Sequence, residues 1–264
     1  MIVALQGGIA NQIFQAAFGL SVAETRREDV KFTRFRVDHD VKRSYGLDAF
    51  NFGLEFTDTE PTPYYHDSGR FDSNVYTADA KTFIGYWQHF GYFDNSLIRD
   101  CLALRKEPSE QTIRISEKIM GNPRSTFIHV RRGDYVKEDH TNRFHGCLPL
   151  SYYLEAIEHI KQTIPDAEFF VFSDDPEWCF ENLPGLSIIC HNKPGDGQRP
   201  GAEAEDLWLM SLCHHAIVAN SAFSAIAAWN GGWRRNQLVV APKRWFQEPS
   251  MADVNPSLDH WIKL

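Results

Sequence analysis

Short apolar runs alternate with amphipathic stretches along most of the chain, and this alternation predicts the secondary structure. Runs rich in β-branched and aromatic residues are typical of buried strands, and apolar residues three or four positions apart are typical of helices. Strands are predicted at residues 2–5, 30–35, 82–86, 126–130, 168–172, 186–190, 216–219 and 238–241. Helices are predicted at residues 11–26, 110–120, 151–163, 203–214 and 221–230, and another begins after Asp175. This alternation indicates βαβ units, parallel sheets and the α/β fold class.

The chain is predicted to form two lobes. Each half begins with a strand, a turn and a helix, so we expect two Rossmann-like lobes that face a cleft. The sequence Gly-Asn-Pro at 121–123 ends a predicted helix, which gives an N-terminal lobe of residues 1–122 and a C-terminal lobe of residues 123–264. Residues 38–79 show little periodicity and are predicted to be irregular.

Charge and cysteine content exclude several classes of protein. The chain has 264 residues, with 27 Lys and Arg against 35 Asp and Glu and a net charge of −8, so it lacks the basic character of a nucleic-acid-binding protein. Its five cysteines include no Cys-x-x-Cys pair, which argues against a disulfide framework or a zinc site and favours a reducing compartment. We recognise no signal peptide and no apolar stretch long enough to span a membrane, and expect a cytoplasmic protein.

The first candidate site runs from His129 to Asp134, at the carboxyl end of the strand predicted at 126–130. Alternation along the strand would place His129 and Arg131 on one face and Val130 and Arg132 on the other. One arginine can then grip a phosphate as a planar fork, while the other is held by a carboxylate such as Asp134. A surface cluster of salt bridges is the alternative, but the position at a strand end favours the phosphate.

Candidate binding residues follow three other predicted strands. Gly8 lies in a glycine-containing turn that fits either an anion site or a plain tight turn. Asp175 is expected to cap the next helix, which leaves Asp174 free for a ligand or for solvent. Ser221 is expected to cap a later helix, whose free N–H groups suit a phosphate.

Three other features have open or unfavourable interpretations. The pair Asp38 and Asp40 has the Asp-x-Asp form of some metal sites, but it lies in an unpatterned segment and is expected to be solvated. Neither His140 nor His145 has partners at a spacing suited to a metal. The aromatic-rich segment 83–93 fits either the protein core or a surface on which a sugar packs.

Four motifs occur in order along nearly the whole chain. They are Gly-Gly-Ile-Ala-Asn-Gln-Ile-Phe-Gln at 7–15, His-Val-Arg-Arg-Gly-Asp-Tyr at 129–135, Phe-Ser-Asp-Asp at 172–175, and Asp-Leu-Trp-Leu-Met-Ser to Ala-Asn-Ser-Ala-Phe-Ser within 206–224. Together they resemble the α-1,2-fucosyltransferases of glycosyltransferase family 11, and Pro242 and Trp245 resemble the closing residues of that family. The resemblance implies a GT-B-like fold, GDP-fucose as donor, a glycan acceptor, inversion at the anomeric carbon, no cofactor and no essential metal.

The resemblance also implies roles for individual residues. Arg131 would bind the β-phosphate and be catalytic, and Asp174 would read the guanine by accepting its two neighbouring N–H groups. The implied donor-binding residues are Gly8, Asn11, His129, Arg131, Asp174, Ser221, Phe223 and Ser224. The C-terminal lobe would bind the GDP-sugar and the N-terminal lobe would face the acceptor. For the catalytic base, Asp134, His145 and a water relay are all open.

Two departures from the family pattern concern the pocket. Ala10 stands where the family usually has glycine, and Ala225-Ile226 replaces a bulky aromatic pair, which is expected to reshape a pocket wall and alter the acceptor. We expect fucose transfer to position 2 of a galactose-like residue. The alternatives are a transferase of another GDP-linked deoxysugar, a nucleotide-dependent Rossmann oxidoreductase and a glycan-binding module without activity. Attachment to the surface of a membrane where glycans are assembled is compatible with the cytoplasmic location.

Overall fold

The computed structural model describes residues 1–59, 62–190, 201–232 and 236–264. These residues form two compact units, Met1–Glu107 and Pro108–Leu264. Each unit contains a parallel sheet accompanied by helices, which confirms the predicted α/β class. In the described part of the chain, no helix combines the length and the apolar character needed to cross a membrane.

The first unit has a four-stranded sheet in the order β2-β1-β4-β3, in which every neighbouring pair is parallel. Its elements are β1 (Ile2–Ala4), α1 (Ile9–Arg26), β2 (Lys31–Thr33), α2 (Phe35–Asp38), β3 (Tyr64–His66), β4 (Thr82–Ile84) and α3 (Asn95–Cys101). Strand β3 lies within residues 38–79, so that segment is not irregular throughout. This strand escaped prediction because its Tyr-Tyr-His sequence occupies the edge of the sheet and lacks the apolar run of a central strand.

The aromatic-rich segment 83–93 belongs mainly to the core of the first unit. Trp87 is 1% exposed and stacks on Phe18 of α1, with ring centroids 4.0 Å apart and planes inclined by 8°. Phe14 of α1 contacts Phe93 at 5.1 Å. Tyr86 is the exception and remains exposed. Burial of large aromatic rings stabilises the packing of α1 on the sheet, so a sugar platform is not needed to explain this segment.

Buried glutamines of α1 hold the backbone at the carboxyl end of β1. The Nε2 of Gln15 donates to the carbonyl oxygens of Gly85, at 2.9 Å, and Gln6, at 3.2 Å, while its Oε1 accepts from the N–H of Gln6 at 2.9 Å. Gln12 similarly donates to the carbonyl of Ser44 at 2.9 Å. These amides pair backbone groups that the sheet leaves unpaired, and they fix the turn between β1 and α1.

The second unit has a six-stranded parallel sheet in the order β10-β9-β8-β5-β6-β7. Its elements are α4 (Glu110–Met120), β5 (Ser125–Val130), α5 (Gly133–Lys137), α6 (Asp139–His145), α7 (Leu150–Thr163), β6 (Glu168–Ser173), α8 (Pro176–Asn182), β7 (Ser187–Ile189), α9 (Ala202–Leu212), β8 (His215–Ile217), α10 (Ala222–Gly231), β9 (Val239–Ala241) and β10 (Ile262–Lys263). Every residue of the central strand β5 is buried, as the continuous apolar run predicts for a parallel sheet covered on both faces.

Two helix starts follow directly from the sequence. Ser109 accepts the N–H of Thr112 and caps α4. Asp175 accepts the N–H of Trp178 at 3.2 Å, and Pro176 occupies the first helical position of α8. Both caps satisfy amides that the helix itself cannot pair.

The division between the units lies before α4, earlier than the boundary expected at 122–123. Helix α4 belongs to the second unit because Glu205 of α9 binds its first turn. The buried carboxylate of Glu205 accepts from the N–H of Ser109 at 3.3 Å, from its hydroxyl at 3.2 Å and from the hydroxyl of Thr112. The sequence Gly-Asn-Pro thus ends a helix inside a unit.

We predict that Gln15→Leu destabilises the protein strongly. Leucine keeps the apolar packing but leaves backbone groups of Gln6 and Gly85 unpaired in a buried site, which costs roughly 2–4 kcal/mol of unfolding free energy. Urea denaturation measures the loss. Gln162→Leu makes the same change on an exposed position of α7 and should stay within about 0.5 kcal/mol of the parent; equal losses would contradict the role of Gln15.

Candidate functional site

Three loops of the second unit meet at the carboxyl ends of β5, β6 and β8. Strand β5 lies between the other two and is parallel to both, so the loops that follow these strands lie on one edge of the sheet. Arg131 follows β5, Asp174 follows β6, and Ser221 follows β8 after a short turn. The structure therefore brings together the three strand ends that the sequence singled out in this unit.

Arg131 lies between two carboxylates. Its Nη2 donates to Asp134 Oδ1 at 2.8 Å, and its Nη1 lies 3.0 Å from Asp174 Oδ2. Burial alone lowers the pKa of Arg131, but the two carboxylates outweigh this effect and raise it above its ordinary value. The guanidinium is therefore a permanent cation held in one orientation, and its Nε and the remaining terminal hydrogens are available to a ligand.

Asp174 is not free, contrary to the expectation from the sequence. Besides its contact with Arg131, its Oδ1 accepts the backbone N–H of Arg132 at 2.8 Å. This contact requires glycine at position 133, because a Cβ there would lie 2.5 Å from Asp174 Oδ2. Asp174 thus joins the loops after β5 and β6.

Arg132 is held by a different carboxylate from the one expected. Its Nε donates to Asp175 Oδ2 at 3.0 Å, and its guanidinium lies 4.4 Å from the ring centroid of Trp178. Asp175 therefore binds Arg132 in addition to capping α8. Asp134, which was considered as the partner of the second arginine, binds Arg131 instead.

His129 is a buried, neutral imidazole beside Arg131. It is 5% exposed, its ring centroid lies 5.6 Å from that of Phe223, and its Nδ1 has no hydrogen-bond partner among the described residues. Burial, with a further contribution from the positive charge of Arg131, lowers the pKa of His129 to about 3. A hydrogen bond from a ligand would satisfy this buried nitrogen.

The start of α10 offers backbone N–H groups. Ser221 is the residue before the helix, as predicted, but its side chain makes no capping hydrogen bond. The hydroxyl of Ser224 is instead buried and accepts the N–H of Ala219 at 3.2 Å, so Ser224 shapes the turn from inside. The first helical hydrogen bond joins the N–H of Ala225 to the carbonyl of Ser221, and the amides before it have no partner within the helix. Such a helix start favours an anion.

His145 lies in an aromatic cluster near Arg131 and Asp134. Its ring stacks on Tyr135, with centroids 4.7 Å apart and planes inclined by 8°, and contacts Phe246 at 5.5 Å. Burial lowers the pKa of His145 to about 4; Asp134 opposes this shift and Arg131 reinforces it. The imidazole is therefore unprotonated near neutral pH.

Asn220 lies in the motif within 206–224, but no role was predicted for it. This residue is 2% exposed, and its Nδ2 donates to the carbonyl oxygens of His145 and Gly146, both at 3.0 Å, and of Trp245 at 3.2 Å. The Oη of Tyr135 donates to the backbone carbonyl of Asn220 at 3.2 Å. The only sequence signal was an amide side chain directly after an apolar strand, where a partner is needed once it is buried.

The predicted donor-binding residues Gly8 and Asn11 lie in the first unit. Gly8 precedes α1 as its N-terminal cap. Asn11 accepts from Nε2 of Gln88 at 2.7 Å, and a Cβ on Gly7, whose φ is +75°, would lie 2.5 Å from the Asn11 side chain. Position 7 therefore requires glycine, because a side chain there would clash with Asn11.

Two further expectations concern metal ions and the pocket wall. Within the described ranges, no group of three or more His, Cys, Asp and Glu side chains could hold a metal ion.

Ala225 and Ile226 are both fully buried in α10, so in this unit they fill the core, which corrects the expectation that they form a pocket wall.

Known proteins resemble this chain in sequence and in fold. An α-1,2-colitosyltransferase of Escherichia coli is 27% identical over 297 residues, which cover 100% of this chain and 98% of the relative. Galactoside α-(1,2)-fucosyltransferase 1 of Mus musculus is 33% identical over 109 residues, which cover 40% of this chain and 27% of the relative. A structure of NodZ α-1,6-fucosyltransferase, soaked with GDP-fucose, has a TM-score of 0.52 at 14% identity and covers 86% of this chain and 91% of that chain. The last likeness shows the fold, which is GT-B-like.

The family model of glycosyl transferase family 11 matches residues 33–264. This range contains both arginines, the Asp174 loop and the turn before α10, whereas the motif at 7–15 lies outside it. The match identifies a glycosyltransferase and therefore excludes the Rossmann oxidoreductase. The chain belongs to glycosyl transferase family 11.

Proposed function

We propose that the protein transfers L-fucose from GDP-fucose to a glycan hydroxyl, with inversion, and forms an α-1,2 linkage to a galactose-like residue. The observation that carries this proposal is the guanidinium of Arg131, held by two carboxylates at the end of β5. The mouse relative, a galactoside α-(1,2)-fucosyltransferase, supports fucose as the sugar and a galactoside as the acceptor.

Arg131 and the start of α10 suit a diphosphate leaving group. When the bond between the sugar and the β-phosphate breaks, negative charge develops on GDP. A fixed guanidinium with unused N–H groups and a helix N-terminus stabilise that charge more than they stabilise the bound donor. In this proposal they supply the positive potential, so neither a cofactor nor a metal ion is needed.

Asp174 and Asp134 act on Arg131 in this proposal. Because each carboxylate contacts a different terminal nitrogen, together they fix both the position and the plane of the guanidinium. Guanine recognition by Asp174 stays a prediction, and it requires that this carboxylate accept bonds from the base while it retains those from Arg131 and Arg132.

His145 is the better candidate for the base. Asp134 is already paired with Arg131, whereas the imidazole of His145 is neutral and has a buried Nδ1 without a hydrogen-bond partner among the described residues. The acceptor hydroxyl would pass its proton to His145 while its oxygen attacks the anomeric carbon. The bond to GDP breaks on the opposite face, which gives inversion.

A different donor sugar is the second candidate. One relative that matches this chain from end to end is a colitosyltransferase, and colitose lacks one hydroxyl group of fucose. A site that hydrogen-bonds this hydroxyl would reject colitose strongly, whereas an apolar wall would accept both sugars.

Incubation with GDP-fucose or GDP-colitose and a panel of galactosides, in excess EDTA, tests the function. We expect a fucosylated product by mass analysis and an α-1,2 linkage by NMR. Transfer from GDP-colitose alone would assign the second candidate, and binding of glycans without transfer from either donor would indicate a binding module. Activity that disappears in EDTA and returns with manganese would contradict metal independence and make Asp38 and Asp40 candidate ligands.

We predict that Arg131→Lys is nearly as damaging as Arg131→Ala. Lysine keeps the charge but cannot contact two carboxylates and a phosphate from one plane, and loss of one transition-state donor lowers kcat by roughly 10²–10³. Steady-state kinetics with the active donor measures this. Arg124→Lys changes an exposed arginine that pairs with Asp166 at 3.4 Å and should leave kcat unchanged. Near-normal turnover of Arg131→Lys would remove Arg131 from the role.

We predict that kcat/KM stays constant as the pH falls from 7 to about 5. The pKa of His145 is lowered to about 4, so its imidazole gains a proton only below that range and stays unprotonated within it. His140→Gln alters an exposed histidine and should leave the profile unchanged, whereas His145→Gln should lower kcat. A loss of activity centred near pH 6.5 would show that an ordinary histidine controls the reaction.

A further inference from the structure

Asn220 connects three segments of the second unit through one side chain. It lies between β8 and α10, and its Nδ2 donates to the carbonyls of His145 and Gly146 in one segment and Trp245 in another. The N–O distances are 3.0, 3.0 and 3.2 Å, and because the amide nitrogen carries two hydrogens, one of them is shared between two of these carbonyls. Because the amide is buried, loss of its donors would leave several carbonyl groups without partners.

Tyr135 provides a second connection to the same place. Its hydroxyl donates to the backbone carbonyl of Asn220, while its ring stacks on His145 and lies 5.4 Å from the guanidinium carbon of Arg131. Tyr135 thus contacts His145, Arg131 and the backbone of Asn220, which precedes the turn at Ser221.

The segment that carries His145 is also held from its other side. The backbone N–H groups of Gln247 and Glu248 donate to the carbonyl of Phe144 at 2.9 and 3.0 Å. Gly146 adopts a φ of +71°, and a Cβ there would lie 2.6 Å from Gln247 Oε1. The backbone on both sides of His145 is therefore constrained, and the ring has little freedom to move.

We propose that Asn220 and Tyr135 are positioning residues that fix the imidazole of His145 relative to Arg131 and to the turn before α10. An amide is required at position 220 because a carboxylate would face carbonyl oxygens without N–H groups, and an apolar side chain would leave those oxygens unpaired. A displacement of a reacting group by about 1 Å can lower a rate 100-fold, so this restraint serves the chemistry. The kinetic consequence rests on the proposed function; the restraint itself does not.

The kinetic test uses two matched tyrosine variants. Tyr135→Phe keeps the ring and removes the hydrogen bond to Asn220. Tyr152→Phe removes a buried hydroxyl that donates to the carbonyl of Val218 at 2.6 Å and has no ring contact with His145. We expect Tyr135→Phe to lower kcat roughly 10-fold, with KM for the donor unchanged, and Asn220→Ala to lower it further, by about 100-fold. Tyr152→Phe should lower the melting temperature but not kcat.

A double-mutant cycle separates positioning from a general structural effect. If Tyr135 acts through His145, adding Tyr135→Phe to His145→Ala should change the residual rate by less than ~2-fold. The proposal would be overturned if the rate losses of Tyr135→Phe and His145→Ala multiplied in the double variant. Equal losses of kcat in Tyr135→Phe and Tyr152→Phe would overturn it as well.

NMR titration of the histidine rings tests the restraint without any enzyme activity. The charged groups near His145 are Asp134 and Arg131, and both remain in Asn220→Ala. We expect the pKa of His145 to rise from about 4 towards its ordinary value in this variant, because the ring becomes less buried, while the pKa of His129 stays low. If Asn220→Ala does not fold, Tyr135→Phe should show the same shift in smaller measure.

An unchanged His145 titration in the folded variants would overturn the restraint. An inactive parent protein would instead refute the proposed function, and the titration would still decide the restraint.

Discussion

The ion pairs of Arg131 with Asp134 and Asp174 are the interaction on which the rest of the site depends. A partly buried guanidinium is tolerated because carboxylates compensate its charge, and each of the two comes from a different place, one from α5 and one from the loop after β6. Formation of these pairs therefore requires that β5 and β6 be aligned, that position 133 lack a side chain and that α5 begin immediately after the arginines. The alignment of β5 with β6 and the compensation of the charge of Arg131 therefore depend on each other.

The same cation influences its neighbours. Near Arg131, His129 is buried and His145 is partly buried, and the positive charge adds to burial in keeping their imidazoles neutral. A neutral imidazole can accept a hydrogen bond, and at His145 the carboxylate of Asp134 opposes the effect of Arg131 on the pKa. The cluster thus combines one permanent positive charge with uncharged acceptors, an arrangement suited to holding an anionic leaving group next to a hydroxyl that loses its proton.

Much of the fold and part of the site could be predicted from the sequence. The apolar runs gave the central strands, and Ser109 and the Asp175-Pro176 pair marked two helix starts, because these signals act within a few residues. Which carboxylate binds which arginine could not be predicted, since that choice depends on how loops after different strands approach one another. Asn220 was missed for the same reason: its partners come from distant segments. The expectation that Ala225 and Ile226 form a pocket wall came from the comparison with the family's residues, which does not show that both side chains are buried in α10.

The pairing of β5 with β8 joins residues that are far apart in the chain, as in the register of Thr126 with His215. Closing so long a loop is entropically costly and slow, because no local contact offsets the cost in advance. The arginine side of the site can form with the early β5–β6 pair, but the serine turn arrives only when β8 docks beside β5. We therefore expect the candidate site to be completed late in folding, and separation of β8 from β5 to disrupt it while most of the secondary structure remains.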